Sequence, residues 1–345
     1  MLKQERYLTG LRGLFCILIV LFHYSDAPTV FDYPILAPFK ILHNWSVIGN
    51  GHLWINFFYL ISGYVLAGKY YYQPINISLY FTKRIFRIFP LHLFLLALYF
   101  IRNSLNGRFD VNRFGLDSLG FNLLLIQNWV PFLWQSWNYP SWTLSSEWFL
   151  YLVFGIVLIF RKKIRTFKHR DFILAVFLMV FTFIAPTYLN ENIYNLLLLT
   201  EDSRFFILGI IISQIPRFKI FDLPYIRPVF QLASLVALVW VVGDESLMPH
   251  MAWIFSILIL SFRGSQSWAS RFLSNPFLIW IGERSFSLYL CHIPILELFL
   301  TYLPPLGPTL GVLATVLSLV GFTFVLHFIF EKKIYGLAGL TKKVA

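Results

Sequence analysis

The sequence predicts an all-α protein: a polytopic transmembrane helical bundle of about ten spans plus one re-entrant element, with both termini cytoplasmic. Three observations carry this. Only 13% of the 345 residues are charged, against 58% hydrophobic and 19% aromatic, about half the roughly 25% charge of a soluble domain. The apolar residues fall in runs of about 15–22, long enough to cross a bilayer as helix. The basic residues, which leave a net charge of +12, gather at the ends of those runs, as the positive-inside rule expects. Ten spans of about 20 residues use roughly 200 positions, so residues 1–345 read as a single integral-membrane domain. Disorder, a collagen-like repeat and a disulfide scaffold are all excluded by composition. The two cysteines, Cys16 and Cys291, sit inside apolar runs and imply no disulfide or metal framework. The basic excess is spent on orientation, and no nucleic-acid-reading motif accompanies it.

In chain order the predicted spans are 8–25, 53–68, 86–102, 144–160, 171–187, 204–216, 228–243, 248–262, 277–300 and 309–330. The first could pass for a secretory leader, with Ser25-Asp26-Ala27 as a small-x-small cleavage site. Arg12 interrupts the apolar core such a leader needs, so the run is expected to stay as a span. The runs 204–216 and 248–262 are short for a crossing and are expected to begin earlier. The block 116–134 is different again: its apolar core is brief, and Gln127, Asn128, Trp129 and Pro131 break it. If it crossed, the basic stretch Arg161 to Arg170 would lie outside. A re-entrant element, with irregular backbone lining a cavity, keeps that stretch inside, together with most of the 28 Lys and Arg. This places the protein in the cell membrane as a multi-pass protein.

Ionisable residues within spans are functional candidates by default. The first span holds Arg12 and His23, eleven residues apart. That spacing is about three turns, so the two share one face within roughly 20° and lie about 16 Å apart along the axis. Singly, Arg12 reads as a snorkelling interface residue and His23 as an end cap; aligned, they point to a site. The fourth span opens Pro140-Ser141-Trp142-Thr143-Leu144-Ser145-Ser146-Glu147. Glu147 there reads either as a carboxylate favoured by the helix dipole or as part of an outward-facing pocket. Gln127, Asn128, Trp129, Trp134 and Trp137 would supply that pocket's amides and aromatic walls. At the inner side Lys83, Arg84 and Arg87 share a helix face at i,i+3 and i,i+4. This is an ordinary orientation signal or, since arginine suits phosphate bidentately, a site for a phosphorylated cytosolic ligand. In the ninth span Ser285 and His292 share a face and read as helix-to-helix hydrogen bonding. His92 and His327 read as structural.

Five stretches in order resemble acyltransferase family 3, integral membrane O-acyltransferases that modify bacterial surface polysaccharides and related molecules. They are Leu8-Thr9-Gly10-Leu11-Arg12-Gly13 leading to His23; Phe57-Phe58-Tyr59-Leu60-Ile61-Ser62-Gly63-Tyr64; the basic run to Arg87-Ile88-Phe89-Pro90; Trp142 to Glu147; and Ser285 to His292. The one departure is Asn56, where the family usually has an aspartate before the paired phenylalanines. The resemblance implies transfer of an acyl group, most often acetyl, from cytosolic acetyl-CoA or another acyl-CoA to a hydroxyl of a surface polysaccharide or its lipid-linked precursor. It implies an acyl-CoA co-substrate and no metal. On that reading Lys83, Arg84 and Arg87 hold the nucleotide phosphates, with Arg12 above them. His23 serves as general base or carries the acyl group covalently. Glu147 orients the imidazole or binds the acceptor. The partners are then membrane lipids, the glycan acceptor and acyl-CoA, with no nucleic acid. A transporter or flippase for a polysaccharide intermediate is the alternative; a structural subunit of an assembly complex leaves the Arg12–His23 alignment unexplained.

Overall fold

The first helix, α1 (Arg6–Phe31), is followed by the short α2 (Ala37–His43) and then α3 (Ile55–Tyr70), α4 (Ile77–Asn106) and α5 (Leu116–Leu123). Next come α6 (Ser141–Lys163), α7 (Tyr194–Gln214), α8 (Ile226–Val242), α9 (Met251–Phe262), α10 (Pro276–Tyr302) and α11 (Pro308–Leu326), which runs on as a π-helix over His327–Ile334. The computed structural model describes residues 6–31, 37–70, 75–107, 113–130, 135–163, 194–215, 225–244, 250–265, 267–302 and 308–337, with a few single positions between them. Among the described residues there is no strand. Nine of the ten expected spans fall on helices; the tenth, 171–187, lies outside the described residues, as do both chain ends. Four segments are long and apolar enough to cross a membrane by themselves: Arg6–Asp26, Ile77–Asn106, Ser141–Phe160 and Leu310–Ile334.

Of the two short runs expected to begin earlier, the one near 204–216 does so, at Tyr194; Glu201, Asp202 and Arg204 hide its first turns from a hydropathy reading. The one near 248–262 starts later than expected, at Met251. The ends of α4 follow local chemistry. Asn76 accepts a hydrogen bond from the Leu79 amide at 3.0 Å, and Gly107 closes the helix at φ 61°, where a residue without Cβ is unstrained.

Tight helix pairs form the centre. A Cβ placed on Gly10 would lie 1.6 Å from the Leu273 carbonyl oxygen, one on Gly13 2.3 Å from that of Leu278, and one on Gly282 1.8 Å from that of Thr9. Glycine is therefore what lets α1 meet α10 and the backbone at Leu273 just before it, the mode of small-residue packing in membranes. Gly63 and Gly209 do the same for α3 and α7, each with a carbonyl 2.0 Å from an added Cβ. Aromatic rings fill the space beside α1: Phe15 stacks on Trp54 at 5.0 Å and meets Phe57 edge-on at 4.6 Å. The outward faces are apolar instead of charged, with Leu98, Ile101 and Leu105 on α4, Val236 and Val239 on α8, and Leu313 and Leu317 on α11 exposed. An apolar periphery this extensive belongs in lipid.

Tyr80 packs on Phe154 and Phe89 on Trp148, so α4 and α6 run antiparallel, and among the described residues between them no helix is long enough to span. Eight-residue α5 covers only about 12 Å, and a 3-10 turn, Gln127–Trp129, follows it. Its polar residues are anchors. Gln127 donates to the Ser141 hydroxyl and carbonyl, Asn128 donates to the Ser146 hydroxyl at 2.7 Å, and the Trp129 indole to the Ser145 carbonyl. His92 of α4 bonds the Asn122 carbonyl at 2.7 Å from the other side.

Candidate active site

Two levels of polar groups lie inside the bundle. The first surrounds Arg12, whose Nη2 donates to the Ser285 hydroxyl of α10 at 2.9 Å. The Cys16 thiol, one turn on, donates to the Ser285 carbonyl. Arg87, Glu331 and Glu147 all lie within electrostatic reach of Arg12. Ser62 donates to Glu147 Oε1 at 3.1 Å, and the Tyr151 hydroxyl makes a second, short bond to the same oxygen. The Arg84 guanidinium stacks over the Tyr151 and Tyr80 rings at 5.2 and 5.9 Å, while Arg87 lies over Phe286. Among the described residues none of Lys83, Arg84 and Arg87 is ion-paired with a carboxylate, and the Arg84 Nε is buried without a hydrogen-bond partner. Glu331 completes this level. It accepts from the Ser287 hydroxyl at 2.5 Å and pairs with His327 at 3.1 Å, where the π-helix turns both residues inward.

The second level lies further along α1. His23 is partly exposed and forms no hydrogen bond with any described residue. Its ring meets Tyr139 edge-on at 5.6 Å and lies 5.1 Å from the fully buried ring of His292. The apposition is built by a proline. Pro294 inside α10 has no N–H, so the Leu290 carbonyl loses its helical donor. Asn138, in the loop before α6, donates to that carbonyl at 3.2 Å, and the Tyr24 hydroxyl donates to the His292 carbonyl at 3.3 Å. Asn138 is held between Tyr139 and Trp137, and Trp137 is buried at φ 58° with its indole bonded to Ser118 at 3.0 Å. A non-glycine residue at positive φ costs of order 1–3 kcal/mol and persists where the surroundings enforce it. The strained turn fixes the loop before α6 to α10 beside His23.

The expected site residues therefore divide. Arg12, Glu147, Arg84 and Arg87 come together; His23 stands apart from them, about 16 Å along α1 from Arg12. The structure does not bring Glu147 to His23, since the carboxylate is engaged by Ser62 and Tyr151. Lys83 is half-buried on the face of α4 with the two arginines. Asn56, half-buried on α3, makes no hydrogen bond to a described residue, so the family's usual aspartate has no amide substitute here in contact with His23. Trp134 lies outside the described residues. Tyr151 and Glu331 escaped the sequence reading. The i,i+4 spacing of Glu147 and Tyr151 was a usable signal, whereas Glu331 looked like one more charge at a span end beside Lys332 and Lys333. Among the described residues no cluster of three or more His, Cys, Asp or Glu side chains could hold a metal ion.

Residues 5–331 match the family model of the acyltransferase domain of acyltransferase family 3. The chain belongs to this family. The acyltransferase is similar to the acyltransferase MdmB of Streptomyces mycarofaciens, 24% identical over 84% of this chain and 78% of the relative. It is also similar to the O-acetyltransferase OatA of Staphylococcus aureus, 26% identical over 87% of this chain. A putative O-acetyltransferase of Staphylococcus aureus is 24% identical over the same share. The chain spans about half the length of the two Staphylococcus relatives, 52% in each case. No solved structure matches. The protein is thus a member of an acyltransferase family with membrane-helix character, and that family's chemistry needs an acyl donor.

Proposed function

We propose that the acyltransferase moves an acyl group, acetyl in the first instance, from cytosolic acyl-CoA to a hydroxyl of a surface polysaccharide or its lipid-linked precursor on the far side of the cell membrane. The observation that carries this reading is the two-level interior: among the described residues, the cations Lys83, Arg84 and Arg87 on α4 that form no ion pair, and about three turns away on α1 an imidazole with no hydrogen bond. Arg84, with its buried unpartnered Nε, and Arg87 and Lys83 on the same face suit the phosphates of a nucleotide donor. Arg12, held by Ser285, would line the way from that level to His23. Such a distance suits a long, thin pantetheine arm, which would deliver its thioester to the imidazole.

His23 then takes the proton of the acceptor hydroxyl as that oxygen bonds to the acyl carbon and the carbon–sulfur bond breaks. The imidazolium returns the proton to the departing sulfur, which leaves as the thiol. Glu147, tied to Ser62 and Tyr151 and close to Arg12, sets the electrostatics of the donor level in this reading. Both termini and the basic end of α6 face the cytosol with Lys83, and residues 1–345 act as one domain.

The test is label transfer. Purified protein in liposomes, given radiolabelled acetyl-CoA and a surface-glycan acceptor, should acetylate the acceptor, and His23→Ala should abolish it. Acceptor movement across the bilayer without acetylation, surviving His23→Ala, would overturn this reading in favour of transport.

A further inference from the structure

His292 lies at the His23 level, and the mechanism above leaves it unused. Its side chain is 0% exposed. Its Nδ1 bonds to the Tyr289 carbonyl of its own helix at 2.5 Å, and a carbonyl can only accept. The Nδ1 proton is therefore committed, and in the neutral ring Nε2 is left as a lone-pair acceptor. That Nε2 is buried with no hydrogen-bond partner, a costly state for a polar atom inside a bundle. Among the described residues, His23 forms no hydrogen bond of its own, and its ring centroid lies 5.1 Å from that of His292. An N–H···N bond of about 3 Å between two imidazoles, whose ring atoms lie about 1 Å from the centroid, sets the centroids about 5 Å apart. The rings are close enough for such a bond at 5.1 Å and 38° tilt, and rotation of the partly exposed His23 about its side-chain bonds would form it.

We infer that His292 is a positioning residue: its Nε2 accepts an N–H from His23, which fixes the His23 tautomer and leaves the other His23 nitrogen as the free base toward the acceptor hydroxyl. A neutral acceptor thus takes the place that a carboxylate holds in other imidazole-based sites, where loss of the orienting group leaves the wrong tautomer. The surroundings support a fixed station for this ring. Pro294 opens the helix just beyond it, Asn138 bonds the freed Leu290 carbonyl, Tyr24 bonds the His292 carbonyl, and Gly282 brings α10 against α1.

The inference rests on His23 being the base, so its test has one arm without turnover. In wild-type protein labelled with 15N at histidine and placed in lipid, a 15N–15N coupling across the hydrogen bond should link two imidazoles, and His23→Asn should remove it. Absence of that coupling overturns the assignment whether or not the enzyme turns over. The second arm is kinetic. His292→Phe keeps the ring volume without an acceptor, and His292→Gln returns an acceptor oxygen near the Nε2 position. The Phe variant should lower kcat about 100-fold with the donor KM unchanged, and the Gln variant should recover at least tenfold of that loss. A Phe variant within threefold of wild type, or Gln no better than Phe at equal thermal stability, overturns the inference. Failure of the wild type to transfer any label counts against the proposed function alone and leaves the coupling measurement to decide the pair.

Discussion

Gly282→Ala should separate the two helices on which the site depends. A Cβ at 282 would lie 1.8 Å from the Thr9 carbonyl oxygen and 2.7 Å from its carbon, both backbone atoms of α1. Ordinary contact between a methyl and a carbonyl oxygen needs a little over 3 Å, so α1 and α10 must part by about 1.5 Å or slide past one another. The Arg12–Ser285 hydrogen bond, 2.9 Å in the wild type, lies three residues from the substitution and would stretch beyond bonding distance. The His23–His292 apposition would widen with it. Overpacking of a close helix contact costs about 1–3 kcal/mol, and misplacing a reacting group by about 1 Å costs on the order of 100-fold in rate. The assay pairs a thermal melt in detergent with label transfer. The expected result is a lower melting temperature and a kcat at least 100-fold down, whereas Gly321→Ala, where an added Cβ meets nothing within 4 Å, changes neither. If Gly282→Ala matched wild type in both, the claim that this crossing positions Arg12 and His23 would fall.

Asn138→Leu leaves the Leu290 carbonyl, freed by Pro294, without a donor; it should cost about 1–3 kcal/mol in a denaturation series and lower kcat through the loss of the His292 setting. Arg87→Ala should raise the donor KM about tenfold with little change in kcat, the pattern of lost uniform binding, and an unchanged KM would remove Arg87 from the donor level. Tyr151→Phe withdraws one of the two hydroxyls on Glu147 and should cost about tenfold in kcat/KM, with Ser62→Ala adding less than its separate effect because both act on one oxygen. In a background without Cys16 and Cys291, Leu105→Cys should react with an impermeant thiol reagent from one side of the membrane and Lys163→Cys only from the other. Labelling of both from one side would contradict the antiparallel reading of α4 and α6.

The helices were legible wherever apolar residues ran unbroken, because desolvation acts on each segment independently of its neighbours. Where charge interrupts a helix, as at Glu201 and Asp202 in α7, the apolar run alone does not mark where the helix starts. The expectation for the block 116–134 rests on charge bookkeeping alone, since crossing would have put Arg161 to Arg170 on the wrong side; the Tyr80–Phe154 and Phe89–Trp148 contacts are compatible with that expectation. The anchors of that block were not legible, since the partners of Gln127 and Asn128 lie in the next helix. The same limit applies to Glu147. Distance from Pro140 suggests an outer position, yet one further turn brings Tyr151 against Arg84, and the carboxylate belongs with the cations.

His292 shows why the site needed three dimensions. In sequence it is a histidine on an apolar helix, which most often bonds a neighbouring helix. What changes its meaning is the direction of its two nitrogens: one is spent on Tyr289, and the other faces no described partner while His23 arrives from a helix more than 250 residues away in the chain. Pro294 and Asn138 are separated by a similar gulf, 156 residues, and neither is informative without the other. Together they explain why a proline is tolerated in the middle of α10 and why an amide is buried in the loop before α6. The carbonyl that the proline orphans is the atom by which the loop holds the α10 backbone two residues from His292. A membrane enzyme has few polar groups to use, and in this one the repair of a broken helix also positions the imidazole pair.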